Sequence, residues 1–171
     1  MTTPTRCTPS GLPLEWVCAR EFAVHVRHIS SASGVPWRVL ALLAGVSSRT
    51  VGRLVGRGRP MRRIRAVDAE RLLMLTPLAI SAAEQQFVDP VSTVRRVRVL
   101  LMNGHSVNDV AAYLGVSTGG LARLITEPEP RCTAMMRVRA RAACEAHHLW
   151  WADQPAELGA DEPDVLPECA A

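Results

Sequence analysis

The chain has 171 residues, 48% of them hydrophobic, and a formal net charge of +4, which leaves room for one or two small folded domains. No apolar run approaches the roughly 18 residues needed to span a bilayer. The N-terminus shows no charged-then-apolar leader, so a cytoplasmic location is expected, on the nucleoid in a bacterium. Pro and Gly fall between periodic apolar runs, and β-branched alternation over a strand length is nearly absent, so the expected class is all-α.

Residues 1–11 are Thr- and Pro-rich and are expected to form a disordered arm. Pro13 suits the first position of a helix reaching about Ile29, with Leu14, Val17, Cys18, Phe22 and Val26 as its apolar stripe. Beyond Gly34 the spacing predicts a short helix over 36–44 and a second over 47–56, stopped by Gly56 and Gly58. A helix over 67–75 then offers Val67, Leu72, Leu73 and Leu75 to a core. Residues 77–88 read as a connecting helix. Asp89-Pro90 opens a helix over 90–103 that ends at Gly104, and Ser106 with Asp109 resembles a capping box for the next one. A helix over 117–126 is halted by Pro128 and Pro130. Thr133 caps a last helix over 134–151 ending in Trp150 and Trp151, and the acidic tail from about 152 reads as disordered. The expected division is an arm (1–11), a first unit of three or four helices (12–76), a connector (77–89), a second such unit (90–151) and a tail (152–171).

The most informative feature is a repeat. PWRVLALLAGVSSRTVGRLVG at 36–56 aligns with SVNDVAAYLGVSTGGLARLIT at 106–126. Ala41 falls on Ala111, Gly45 on Gly115, Val46 on Val116, Ser47 on Ser117, Arg53 on Arg123 and Leu54 on Leu124, and upstream Gly34 falls on Gly104. A short helix, a glycine turn and a second helix opening Ser-Ser or Ser-Thr is the helix–turn–helix pattern. Its job is to present the N-terminal turn of the second helix to the DNA major groove. The small residue where the helices cross is Ala41 or Ala111, and the turn position that must accept positive φ is Gly45 or Gly115. Positions that should be buried read Leu40, Ala44, Val46, Val51, Leu54 and Val110, Leu114, Val116, Leu121, Leu124. The plain alternative is a pair of helical hairpins with no ligand.

All twenty basic residues are Arg, and six of the sixteen acids lie after residue 151, so the rest of the chain carries an excess of ten positive charges. The lack of Lys reflects a GC-rich coding sequence first and guanidinium chemistry second. From Arg49 to Arg65 there are seven arginines and no acid. A run that dense is ordinarily a solvated face; on and just after a recognition helix it is better read as a phosphate-binding surface.

The two copies are expected to read DNA unequally. The first offers Ser47, Ser48, Arg49 and Arg53 at exposed positions, with Arg49 or Arg53 suited to bidentate contact with guanine. The second offers Ser117, Thr118 and Arg123, and Gly119-Gly120 weakens its helix by roughly 1 kcal/mol per glycine. Ser47 and Ser117 have a competing role as N-caps. Arg57-Gly58-Arg59-Pro60 resembles an AT-hook core, which would lay arginines along a narrow minor groove; the alternative is an Arg-rich loop touching phosphates. Arg62 and Arg63 extend it. Arg95, Arg96, Arg98, Arg137, Arg139 and Arg141 are further candidates for phosphate contacts.

Other chemistry finds little support. The five cysteines form no C-x-x-C pair, which argues against zinc ribbons and iron–sulfur sites; Cys18 and Cys144 read as buried thiols. His147-His148 lacks a partner at metal-ligand spacing, and no catalytic arrangement, cofactor site or metal site is expected. On GVSSRTVGRL and GVSTGGLARL, each with a trailing helix (AERLLML and, more loosely, RARAACEAHH), the chain resembles helix–turn–helix regulators of GC-rich bacteria, their phages and mobile elements, over about residues 14–151. The resemblance implies binding of double-stranded DNA for transcription control, with RNA polymerase or another regulatory protein as a second partner. A tandem repeat can present two helices about 34 Å apart from one chain, so a monomer or weak homodimer is expected. The rival functions are a nucleoid-associated or mobile-element accessory DNA-binding protein and a helical protein-interaction module.

Overall fold

The computed structural model describes residues 16–59, 61–127 and 130–153; the expected N-terminal arm, nearly all of the acidic tail and Pro60 lie outside them. Among the described residues the chain is predominantly helical. In order come β1 (Trp16–Cys18), α1 (Arg20–Ser33), α2 (Trp37–Leu43), α3 (Ser48–Leu54), β2 (Arg63–Arg65), α4 (Ala66–Leu73) and α5 (Pro77–Gln85). Then follow α6 (Val91–Met102), α7 (Val107–Leu114), α8 (Thr118–Thr126), α9 (Ala134–Ala146) and a 3-10 turn at Trp150–Asp153.

Hydroxyl caps set several of the helix starts. The side chains of Ser47, Thr76, Ser106, Ser117 and Thr133 accept from backbone N–H groups of Thr50, Ala79, Asp109, Gly120 and Met136, satisfying donors that the first helical turn leaves unpaired. Pro77 follows its cap at the helix start, where the missing N–H costs nothing. The Ser106 Oγ accepts from Asp109 N–H at 3.1 Å, half of the expected capping box, and its hydroxyl donates to Asp109 Oδ2 at 2.7 Å.

The two aligned segments adopt the same turn. Val46 N–H donates to Ala41 O at 2.9 Å and Gly45 N–H to Leu42 O at 3.1 Å; seventy residues on, Val116 donates to Ala111 at 3.0 Å and Gly115 to Ala112 at 3.1 Å. Gly45 has φ 67° and Gly115 φ 72°, left-handed values at which a Cβ is strained. Leu40, Ala41, Val46, Val51 and Leu54 are buried in the first segment, as are Val110, Ala111, Leu114, Leu121 and Leu124 in the second. Ala44 and Val116, expected inside, are half-buried. Truncating Leu40 or Leu121, both fully buried, to Ala should cost about 2–5 kcal/mol.

The core has two clusters. One gathers α1–α5 with β2 and includes Val26, Leu40, Val51, Ile64, Leu72 and Ile80. The other gathers α6–α9 and includes Val97, Leu100, Val110, Leu121 and Cys144. Helix α9 serves both: Met135 and Ala142 join the first cluster, while Ala140, Ala143 and Cys144 join the second. Its alanines let α2 approach on one side and α6 and α7 on the other. The 77–88 segment is also more than a connector, since Ile80 and Ala83 of α5 are buried in the first cluster.

The helical class stands, with one small addition and three corrections. β1 and β2 pair antiparallel, Trp16 opposite Arg65, Val17 opposite Ile64 and Cys18 opposite Arg63. These strands are three residues long, too short for alternation to register in the sequence. The first helix accordingly starts at Arg20 rather than Pro13, because residues 16–18 pair with the Arg-rich segment. Cys18 is exposed on this ribbon, whereas Cys144 is buried as expected. The last helix ends at Ala146, with His148 at φ 60° breaking it before the 3-10 turn, so Trp151 does not continue it.

Candidate nucleic-acid interface

Helix α3 faces a groove of about 930 Å³ lined by Arg38, Arg49, Arg53, Arg57 and Arg59, with Trp37, Ser48, Gly52, Gly58 and Glu145. Arg49 and Arg53 are four residues apart and share one helix face, while Arg57 and Arg59 come from the loop after α3. The Arg53 Nε donates to Arg59 O at 3.4 Å, tying the helix to that loop. Trp37 forms one wall. A Cβ on Gly52 would stand 3.0 Å from Trp37 Cη2, so glycine there lets the indole lie against α3. The Arg38 guanidinium rests over the Trp37 ring, 4.9 Å from its centroid, a cation–π geometry that holds it at the groove rim.

One carboxylate faces these five guanidinium groups among the described residues. The Ser48 hydroxyl donates to Glu145 Oε2 at 2.7 Å, and Arg141 Nε lies 3.3 Å from Glu145 Oε1. Arg141, Glu145 and Ser48 therefore link α9 to the first turn of α3. Ser48, expected to reach bases, is engaged by Glu145 and half-buried. Ser47 caps α3. Neither hydroxyl stands apart from the protein's own structure.

On the other side of Arg53 lies a second cavity of about 490 Å³, lined in part by Trp16, Thr50, Arg63, Arg65 and Asp68. The β1–β2 ribbon borders it, burying Ile64 and leaving Arg63 and Arg65 exposed beside a Trp16 that is 53% exposed. Arg62 is exposed too, and its carbonyl accepts from Ala19 N–H at 3.0 Å. Arg57 and Arg59 thus lie in the loop after α3, and Arg63 opens β2.

In the second copy Ser117 caps α8, and Thr118, Gly119, Ala122 and Arg123 are exposed. This face carries one charged side chain. Both turn glycines are backed by an arginine of the trailing helix. Arg71 Nη1 donates to Gly45 O at 3.1 Å, and the Arg139 guanidinium occupies the space that a Cβ on Gly115 would take.

Sequence reasoning missed Trp37, Arg38, Arg71 and Glu145. The Arg141–Glu145 spacing of four on one helix was a visible signal, but nothing in the sequence links Glu145 to Ser48, 97 residues earlier. Among the described residues no group of three His, Cys, Asp or Glu side chains is placed to hold a metal, and no helix is long and apolar enough to cross a membrane. No family model, curated protein or solved structure matches this chain.

Proposed function

We propose that this protein binds double-stranded DNA as a sequence-specific transcriptional regulator, with α2–α3 and α7–α8 acting as two helix–turn–helix units. The observation that carries the reading is the groove beside α3, where five guanidinium groups converge on the exposed face of a short, capped helix that follows a glycine turn. Arginine suits this role because its planar fork matches both phosphate oxygens and the O6/N7 edge of guanine. Arg49 and Arg53 are assigned to base edges, and Arg38, Arg57 and Arg59 to phosphates. Arg62 and Arg63 of the loop and ribbon extend the contact to the flanking backbone. With Arg38, Arg57, Arg59, Arg62 and Arg63 each neutralising one phosphate, log K falls against log salt with a slope of about 4–5.

The second unit is the weaker reader. Arg123 is the one long polar side chain of α8, and the Gly119 and Ala122 surface suits close approach to backbone or to a thymine methyl. The same smooth face fits a protein contact, which favours a partner such as RNA polymerase as the second reading for α8. The test is selection from a randomised duplex pool at about 0.15 M salt, where non-specific binding is already weak. An enriched motif with two parts about one helical turn apart is expected. Recovery without enrichment would refute sequence-specific reading and leave an architectural role. Enrichment of a single part would assign base reading to α3 alone.

A further inference from the structure

A separate cleft of about 310 Å³ lies where α2 meets α7 and α9. Its floor is apolar and buried, formed by Val39, Ala142 and Ala143. Its polar groups are Arg38, Arg139, Tyr113 and His147, and no carboxylate lines it among the described residues. Arg139 is the unusual member. Its Nε is buried without a hydrogen-bond partner among the described residues, although an unpaired buried donor is unfavourable. The absence of a Cβ at Gly115 leaves room for the guanidinium there, but the packing gives Nε no acceptor. The rings of His147 and Tyr113 lie 5.6 Å apart at the cleft, and the His105 ring lies 4.1 Å from that of His147, tilted by 60°.

We propose that this cleft is a binding site for a small carboxylic acid with a compact apolar body. Arg38 and Arg139 line the cleft with no acid opposite them among the described residues, and a guanidinium binds a carboxylate through paired N–H···O bonds. The body rests on Val39, Ala142 and Ala143, and the tyrosine and histidine rings close the sides. A cleft of this size, apolar with a few convergent polar groups, is at the small end of ligand sites. Its position also gives the ligand a consequence. Arg38 lines both this cleft and the basic groove of α3, so an anion that engages Arg38 competes with phosphate for the same guanidinium.

Acid binding at this cleft is separate from DNA binding and is tested without DNA. Benzoate is titrated into the full-length chain and followed by amide chemical shifts, with benzamide and inorganic phosphate as parallel probes. The expected result is saturable benzoate shifts at Ala112, Tyr113, Ala143 and His147, with none from benzamide and at least tenfold weaker binding of phosphate. Arg139→Met should weaken benzoate at least tenfold. Ala143→Leu, which fills the floor and leaves Arg139 in place, should abolish its binding. Circular dichroism of both variants checks that each is folded. Absence of saturable benzoate shifts in the wild type would overturn the proposal. So would equal binding of benzamide or phosphate, or unchanged affinity in a folded Arg139→Met or Ala143→Leu chain.

Discussion

Replacing Glu145 by Gln changes one charge in the arginine groove and almost nothing of its shape. Gln keeps an oxygen to accept from the Ser48 hydroxyl, which lies 2.7 Å from Oε2, and loses the ion pair with Arg141, itself 52% exposed. An exposed i,i+4 pair is worth about 0.3–0.5 kcal/mol, so Tm should fall by no more than about 2 °C. DNA affinity should move the other way. A groove of about 930 Å³ is equivalent to a sphere of roughly 6 Å radius, so a seated phosphate lies on the order of 7 Å from the carboxylate. At that separation the repulsion is about 0.6–1.2 kcal/mol for an effective dielectric of roughly 80 down to 40. Its removal should tighten Kd about three- to eightfold, and the gain should shrink as salt shortens the screening length from about 10 Å at 0.1 M to about 3 Å at 1 M. Fluorescence anisotropy with a labelled duplex from the selection, at two salt concentrations, measures both. Unchanged or weaker binding in a variant with wild-type circular dichroism would show that Glu145 does not face bound DNA.

Arg53→Ala should weaken specific DNA binding about tenfold or more, the cost of one guanine contact, and Arg123→Ala clearly less; equal losses in the same anisotropy assay would contradict the unequal roles of α3 and α8. Gly45→Ala should cost about 1–2 kcal/mol of stability for its left-handed backbone, and Gly115→Ala more, because its Cβ meets the Arg139 guanidinium. Denaturant melts should show that excess vanishing when Gly115→Ala is combined with Arg139→Ala. Maleimide should label Cys18 in the native chain and spare Cys132 and Cys144 until denaturant is added, as read by peptide mass spectrometry. Cys132 is buried and its thiol is pushed above the ordinary value by desolvation, against the lowering effects of its Thr93 hydrogen bond and of Arg137, so little reactive thiolate forms. His147 is held below the ordinary histidine value of 6.5 by burial first, then by His105, Arg38 and His148. Folded and unfolded chains therefore protonate it alike above that value. Below it the unfolded chain binds more protons, so stability falls as pH drops from about 6.5 towards the folded value. A His147→Asn chain should show a flatter dependence of Tm on pH over that range.

The helix pairs were legible in the sequence because their determinants are local. A hydroxyl cap at Ser47 or Ser117, a glycine at 45 or 115 and apolar residues at helical spacing each act within one or two turns of chain, and two copies in register made the pattern hard to miss. The ends of α2, α3 and α8 lie within two residues of the expected ones for the same reason, whereas α1 and α9, whose ends depend on distant packing, do not. The β1–β2 ribbon was not legible, since Val17 and Ile64 meet across 47 residues and each strand is only three residues long. Treating Cys18 as part of a helical apolar stripe followed from that omission.

The candidate site divides the same way. Arginine content, its concentration over 49–65 and the exposed face of α3 are properties of the linear chain, because charge and helical periodicity are written residue by residue. Which arginines share a groove is not. Packing of α9 between the two clusters brings Glu145 to Ser48 and puts Arg139 behind Gly115, and it opens the cleft shared with Arg38. Alanine at 140, 142 and 143 permits that approach, but small side chains do not by themselves say what will approach them. The partner of a buried charge is selected by the whole fold, through contacts between segments far apart in the chain, and only the tertiary structure decides it.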